Sequence, residues 1–155
     1  MDIPLRTRLN DALKTAMKAK EALAVSTVRL ILAAIKDRDI AARSKGNMEG
    51  LADEEILGVL QTMIRQRQES AEMYQKGNRP DLVAQELGEI KIIEGFLPQQ
   101  MSEAEMAEAI GAVVAETGAA GMKDMGKAMA ALRAKYAGRM DFGKASALIR
   151  QKLAG

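Results

Sequence analysis

Apolar residues return every three or four positions along most of the chain, the period of a helix that buries one face. Leu5, Leu9, Ala12, Leu13, Ala16 and Met17 predict a first helix over about residues 3–20. A second helix carries Val28, Ile31, Leu32 and Ile35 and ends near Ser44, before the sequence KGN. Its start lies near Ala22, or at a cap provided by Ser26 or Thr27. NMEGLADEE then reads as a loop leading into an acid-rich helix start. The third helix holds Ile56, Leu60, Met63, Ile64, Ala71 and Tyr74 and stops at a second KGN. Pro80 suits the first turn of a fourth, where a missing N–H is harmless. That helix carries Leu82, Val83, Leu87, Ile90, Ile93 and Leu97.

FLPQQMSEAE marks a boundary, because Pro98 bars helical geometry at Leu97. Ser102 with Glu105 forms a capping box that opens the next helix. Three short helices follow, at about 103–117, 124–137 and 141–153. Gly138 is placed to end the middle one in a left-handed conformation, and Asp141 to cap the last. The predicted fold is all-α: a four-helix N-terminal domain, residues 1–98, and a three-helix C-terminal domain, residues 99–155.

Composition agrees with this class. Apolar residues make up 48% of the 155 residues but aromatics only 3%, a mixture that favours helix over strand. Without cysteine or histidine there is no disulfide framework and no ordinary zinc site, and no metal or cofactor motif is evident. No apolar run reaches the ~20 residues of a membrane span. The amphipathic N-terminus resembles a transit peptide except for Asp2, Asp11 and Glu21, and its periodicity belongs to the first helix. These features together suggest a cytoplasmic chain.

The net charge of +2 hides a segregation. Residues 6–45 carry ten Lys/Arg against four Asp/Glu, residues 46–116 five against fourteen, and residues 117–155 eight against two. In the last of these regions, Met125, Met129, Leu132 and Tyr136 form an apolar stripe with Lys123 and Lys127 almost opposite. Arg133 and Lys135 flank that stripe, Arg139 sits at the following turn, and Lys144 points outward from the last helix. Lys123, Lys127, Arg139 and Lys144 are thus expected on one side of the domain. Like charges four apart on a helix repel, and phosphates would relieve that repulsion. The middle helix lacks the Arg/Asn/Gln set that reads base edges, so the expected target is nucleic-acid shape and phosphate, as in a folded RNA. A separate basic stripe, Arg29, Lys36 and Arg43, runs along the second helix.

Two inward charges stand apart from this pattern. Arg67 falls on the apolar face of the third helix and Glu86 on that of the fourth, which suggests an interhelical pair supported by Glu69, Ser70 or Glu89. Glu86 could instead be a catalytic carboxylate, but without a histidine, cysteine or second placed acid it is poor acid–base equipment.

GFLPQQMSEAE, MKDMGKAMAALRAKYAGRMD, RQRQESAEMYQKGNRPDL and EIKIIEGFLP together resemble the YqeY-like family, also called GatB/YqeY domain proteins. The C-terminal part is similar to the tail domain of the B subunit of the glutamine-dependent tRNA amidotransferase. The family tends to have small residues where this chain has Met140 and Phe142, and often a Lys in place of Gln99. The resemblance implies two helical domains and a tRNA-binding tail, carried by Lys123, Gly126, Lys127, Gly138 and Arg139. It also suggests carbon–nitrogen ligase activity with glutamine as amide donor. No amidase constellation or ATP-binding glycine motif accompanies it, so the expected role is a non-catalytic adaptor. The alternative is a protein-interaction module or accessory subunit of an amidotransferase or the translation machinery, docking through acidic residues 46–116. The oligomeric state is left open.

Overall fold

The periodicity forms helices close to where it predicts them, and their ends follow local chemistry. The computed structural model describes residues 3–154. Their regular structure is seven α-helices and one 3-10 turn, with no strand among the described residues. The chain divides after Leu97 into two compact units.

In the first unit, α1 spans Leu5–Ala19, α2 Ala22–Ser44, α3 Asp53–Lys76 and α4 Pro80–Glu94. Their inward faces meet in one cluster: Leu5 and Leu9 from α1, Val28, Ile31 and Ile35 from α2, Ile56, Val59, Leu60 and Met63 from α3, and Ile93 from α4. Each such side chain contributes about 1.5–3 kcal/mol on burial. The cap expected at Ser26 or Thr27 is not used, because α2 begins at Ala22 just after Lys20 turns left-handed (φ 58). Ser26 Oγ instead donates to the Leu23 carbonyl at 3.1 Å, and Thr27 is fully buried. At the second KGN, Asn78 takes the left-handed conformation (φ 56) while Gly77 does not (φ −83). Helix α4 stops at Glu94, before the expected Leu97. The N–H groups of Gly95, Phe96 and Leu97 each bond three residues back, tightening the chain before Pro98.

The long α2–α3 loop is held by an ion pair that joins it to α1 and α2. Arg6 grips Asp39 with both terminal nitrogens, at 2.8 and 2.7 Å, and also donates to the Leu51 carbonyl at 3.1 Å. The Leu51 N–H donates to Asp39 Oδ1 at 2.9 Å. Gly50 has φ +90, and a Cβ there would lie 2.7 Å from Asp39 Oδ1, so only glycine fits. Asn47 completes the turn by accepting from the N–H groups of Glu49 and Gly50.

In the second unit, α5 spans Glu103–Thr117, a 3-10 turn Met122–Asp124, α6 Met125–Tyr136 and α7 Phe142–Ala154. Met106, Ala109, Ile110 and Val113 of α5 pack on Ala128, Met129 and Leu132 of α6, Met140 of the turn, and Ala145 and Ile149 of α7. Alanines at three of these positions let the helices approach closely, and methionines fill the gaps.

Asp39→Asn is expected to cost about 1–2 kcal/mol, because a charge-assisted, two-point bond is replaced by neutral ones. The Arg6 guanidinium, then the Leu51 N–H, hold the Asp39 carboxyl at about 2, below its ordinary 3.8. A lowered folded pKa gives stability that is in place above about pH 4 and drains as pH falls towards 2. Urea midpoints measured across that window should fall more steeply for the wild type than for Asp39→Asn; parallel curves would exclude this role.

Candidate nucleic-acid interface

The basic surface of the second unit lies in residues 117–155, and the acids around it have defined places. Ser102 Oγ accepts from the Glu105 N–H at 3.1 Å while Glu105 Oε1 accepts from the Ser102 N–H at 3.2 Å, closing the capping box of α5. These backbone bonds hold the Glu105 carboxyl below the usual range. Asp124 Oδ2 accepts from the Ala120 N–H at 3.0 Å, which shapes the 3-10 turn before α6. Asp141 Oδ1 accepts from the N–H groups of Gly143 and Lys144, at 2.8 and 3.3 Å, and so caps α7. Both acids of residues 117–155 are therefore committed to backbone.

Lys123, Gly126, Lys127 and Lys144 are exposed. Among the described residues none of these lysines forms an ion pair. Lys123 lies in the 3-10 turn and Lys127 in the first turn of α6. A Cβ on Gly126 would meet nothing within 4 Å, and its φ is not in the left-handed range. Neither packing nor backbone geometry calls for glycine there. Arg133, exposed, holds its guanidinium 5.8 Å from the centre of the Phe142 ring. That contact brings it to the start of α7, two residues before Lys144. The structure therefore gathers two basic groups around the 3-10 turn and two around the α6–α7 corner, with about 15 Å of helix between Lys123 and Arg133.

Arg139 is not displayed as expected. It is half-buried, with its guanidinium 5.9 Å from the centre of the Tyr136 ring and Nε donating to the Gln99 carbonyl at 3.3 Å. Its carbonyl accepts from the Met101 N–H at 2.9 Å. Gly138, buried with φ 76, accepts from Gln100 Nε2 at 2.6 Å. These bonds tie the 98–101 segment to the α6–α7 turn, so Arg139 and Gly138 hold the unit together. Lys135 is paired with Glu116 of α5, whose hydrogen bond raises the ammonium pKa. Sequence spacing carries no signal for that contact, which joins different helices.

In the first unit the expected Arg67–Glu86 pair is replaced. Arg67 Nε donates to Glu89 Oε2 at 3.2 Å, with side-chain exposures of 14% and 10%, and Nη1 donates to the Met63 carbonyl at 3.1 Å. Glu86, three residues earlier on α4, is half-buried and feels Arg67 only at longer range. Burial, then the neighbouring Glu89 charge, push its carboxyl above the usual value. No group of three or more acidic side chains among the described residues is arranged to hold a metal ion. Among the described residues no helix is long and apolar enough to cross a membrane.

Comparison with known proteins places this architecture. Residues 6–153 match the family model described as Yqey-like protein. The chain belongs to the YqeY-like family. Similar curated relatives are each named altered inheritance of mitochondria protein 41, mitochondrial. The one from Lachancea thermotolerans is 40% identical over 100 residues, covering 63% of this chain and 51% of the relative. That from Kluyveromyces lactis is 38% identical over 89 residues, covering 57% and 45%. That from Vanderwaltozyma polyspora is 36% identical over 89 residues, covering 57% and 46%. This YqeY-like protein thus spans about half the length of the curated relatives it matches.

These names overturn the expectation of a cytoplasmic chain, since they point to a mitochondrial setting for the relatives. The physical basis of that expectation does not discriminate: a cysteine-free helical chain suits any reducing compartment. Asp11 lies exposed on α1. Asp2 lies outside the described residues. The residues that depart from the family pattern have defined places. Met140 fills the core at 1% exposure, Phe142 lies beside Arg133, and Gln99 offers its carbonyl to Arg139.

The two α4 carboxylates of the YqeY-like protein should respond in opposite senses. Glu89→Gln removes the charge that compensates Arg67 and is expected to destabilise by about 3 kcal/mol. Glu86→Gln removes a carboxylate whose ionised form is disfavoured in the folded state, and should leave the melting temperature at pH 7 unchanged or raise it. A larger loss in Glu86→Gln than in Glu89→Gln would restore the original pairing.

Proposed function

We propose that residues 98–155 form a non-catalytic docking module for tRNA or another structured RNA, as the similarity to the amidotransferase tail implies. The observation that carries this reading is the pairing pattern. Asp124 and Asp141 are engaged by backbone N–H groups, and Lys123, Lys127 and Lys144 are exposed and form no ion pair among the described residues. Such cations stabilise a complex by neutralising phosphates and releasing counterions. Gly126 supports the same surface. A helical glycine costs about 0.5–1 kcal/mol relative to alanine, and here the fold gains nothing from it. A ligand backbone seated between Lys123 and Lys127 would account for the missing side chain.

Docking through the acidic middle of the chain has less support. Glu89 and Glu116 are paired internally, and Glu55 and Glu105 accept from backbone N–H groups at helix starts. No amide-transfer step is assigned to this chain, because the similarity covers the tail domain of the amidotransferase subunit and not its catalytic body.

Fluorescence anisotropy with tRNA at several salt concentrations tests the module. Wild-type affinity should fall with salt with a logarithmic slope of about −2 to −3, from three lysine–phosphate contacts. Lys123→Glu/Lys127→Glu should lose most binding, and the slope should shrink by about 2. Absence of wild-type binding at low salt would end the proposal. Gly126→Ala separates fold from function: it should raise stability by about 0.5–1 kcal/mol while weakening RNA binding. Unchanged affinity in this variant would remove the glycine from the contact surface.

A further inference from the structure

The outward face of α2 is left unused by this reading. Leu30 and Ile40 stand there with exposures of 47% and 53%, and Leu23, at 37%, lies at its edge, its Cδ2 against Gly88 of α4. Counted as a heptad, the a positions are Leu23, Leu30 and Asp37 and the d positions Ser26, Ala33 and Ile40. Arg29, Lys36 and Arg43 follow the same seven-residue spacing along one edge, the g position. All three are exposed and none forms an ion pair among the described residues. Arg43 lies near Asp39, but that carboxylate is already gripped by Arg6. From Leu23 to Ile40 the seam runs about 26 Å, enough for knobs-into-holes pairing with another helix.

We propose that this face docks an acidic amphipathic helix of a protein partner, with α2 as one strand of a short coiled coil. Charge decides the occupant. A row of cations beside an apolar seam favours a helix with a Leu/Ile seam and Glu or Asp along the facing edge. A second copy of this chain does not offer that edge. An antiparallel pair would set the basic rows against each other, and a parallel pair would set them against Ala34 and Ala41, which carry no charge, the third position of that edge being the buried Thr27. An anionic bilayer is disfavoured by exposed Asp37 in the middle of the seam and by the absence of aromatic anchors on it. The same Asp37 gives register, because a Lys or Arg of the partner must meet it there.

The test uses the full-length chain and a labelled synthetic helical peptide with leucines at a and d, one core lysine and glutamates at the flanks. A second peptide carries lysines at those flanks. The chain should bind the acidic peptide and ignore the basic one. Arg29→Glu/Lys36→Glu/Arg43→Glu should lose at least about tenfold for the first and gain the second. Leu30→Gln/Ile40→Gln should lose binding with charge intact, and circular dichroism of both variants checks the fold. No binding up to about 1 mM peptide, or equal binding of both peptides, overturns the proposal. So does a concentration-dependent dimer abolished by Leu30→Gln, which makes the occupant a second copy. Flotation with anionic vesicles that the triple variant abolishes assigns the face to lipid, and a loss of tRNA affinity in the triple variant assigns it to RNA; either result also overturns it.

Discussion

The chemistry of the basic region depends on what Asp124 and Asp141 do with their carboxylates. Each could have neutralised a neighbouring lysine. Each instead accepts from backbone N–H groups that a helix start or tight turn would otherwise leave unpaired. Local folding and surface potential are therefore coupled. The two carboxylates keep their charge, but each is held at a turn or a helix start, and neither closes an ion pair with Lys123, Lys127 or Lys144 among the described residues. Lys135 shows the alternative, since Glu116 faces it and its charge is answered within the unit.

In the first unit, charge serves assembly. Arg6 and Asp39 unite α1, α2 and the chain at Leu51, and Gly50 packs against that pair too closely to carry a side chain. Arg67 and Glu89 pair across α3 and α4 next to the apolar cluster, where desolvation makes an unpartnered charge costly. Glu86 experiences the other side of that economy. The nearest cation is taken, and a second carboxylate beside it receives only repulsion.

Features written in short-range order were legible. The helix periods, the Ser102–Glu105 box, the left-handed Gly138 and the Asp141 cap all depend on residues within one turn of each other. Features that depend on where two helices meet were not. A helical wheel puts Glu86 and Glu89 within about 60° of each other, too little for the pattern to choose Arg67's partner. Arg139's place in the connector likewise suggested an outward side chain, because nothing local shows that Tyr136 and Gln99 will receive it. Asn78, not Gly77, takes the strained conformation in the second KGN, a choice made by the geometry of the α3–α4 turn. Compartment was not legible at all, since no residue of a folded helix encodes it.

The distribution of methionine carries a chemical consequence. Met106, Met129 and Met140 are sealed in the small core, while Met48 and Met73 are largely open to solvent. Thioethers react with peroxide roughly as access permits, and a sulfoxide is polar. Mild oxidant is thus consumed at surface positions where an added oxygen disturbs little. The same atom introduced among alanines at the α5–α6–α7 contact would pry the helices apart. Within that unit Met122, at 46% exposure, is the thioether such an oxidant reaches before the core.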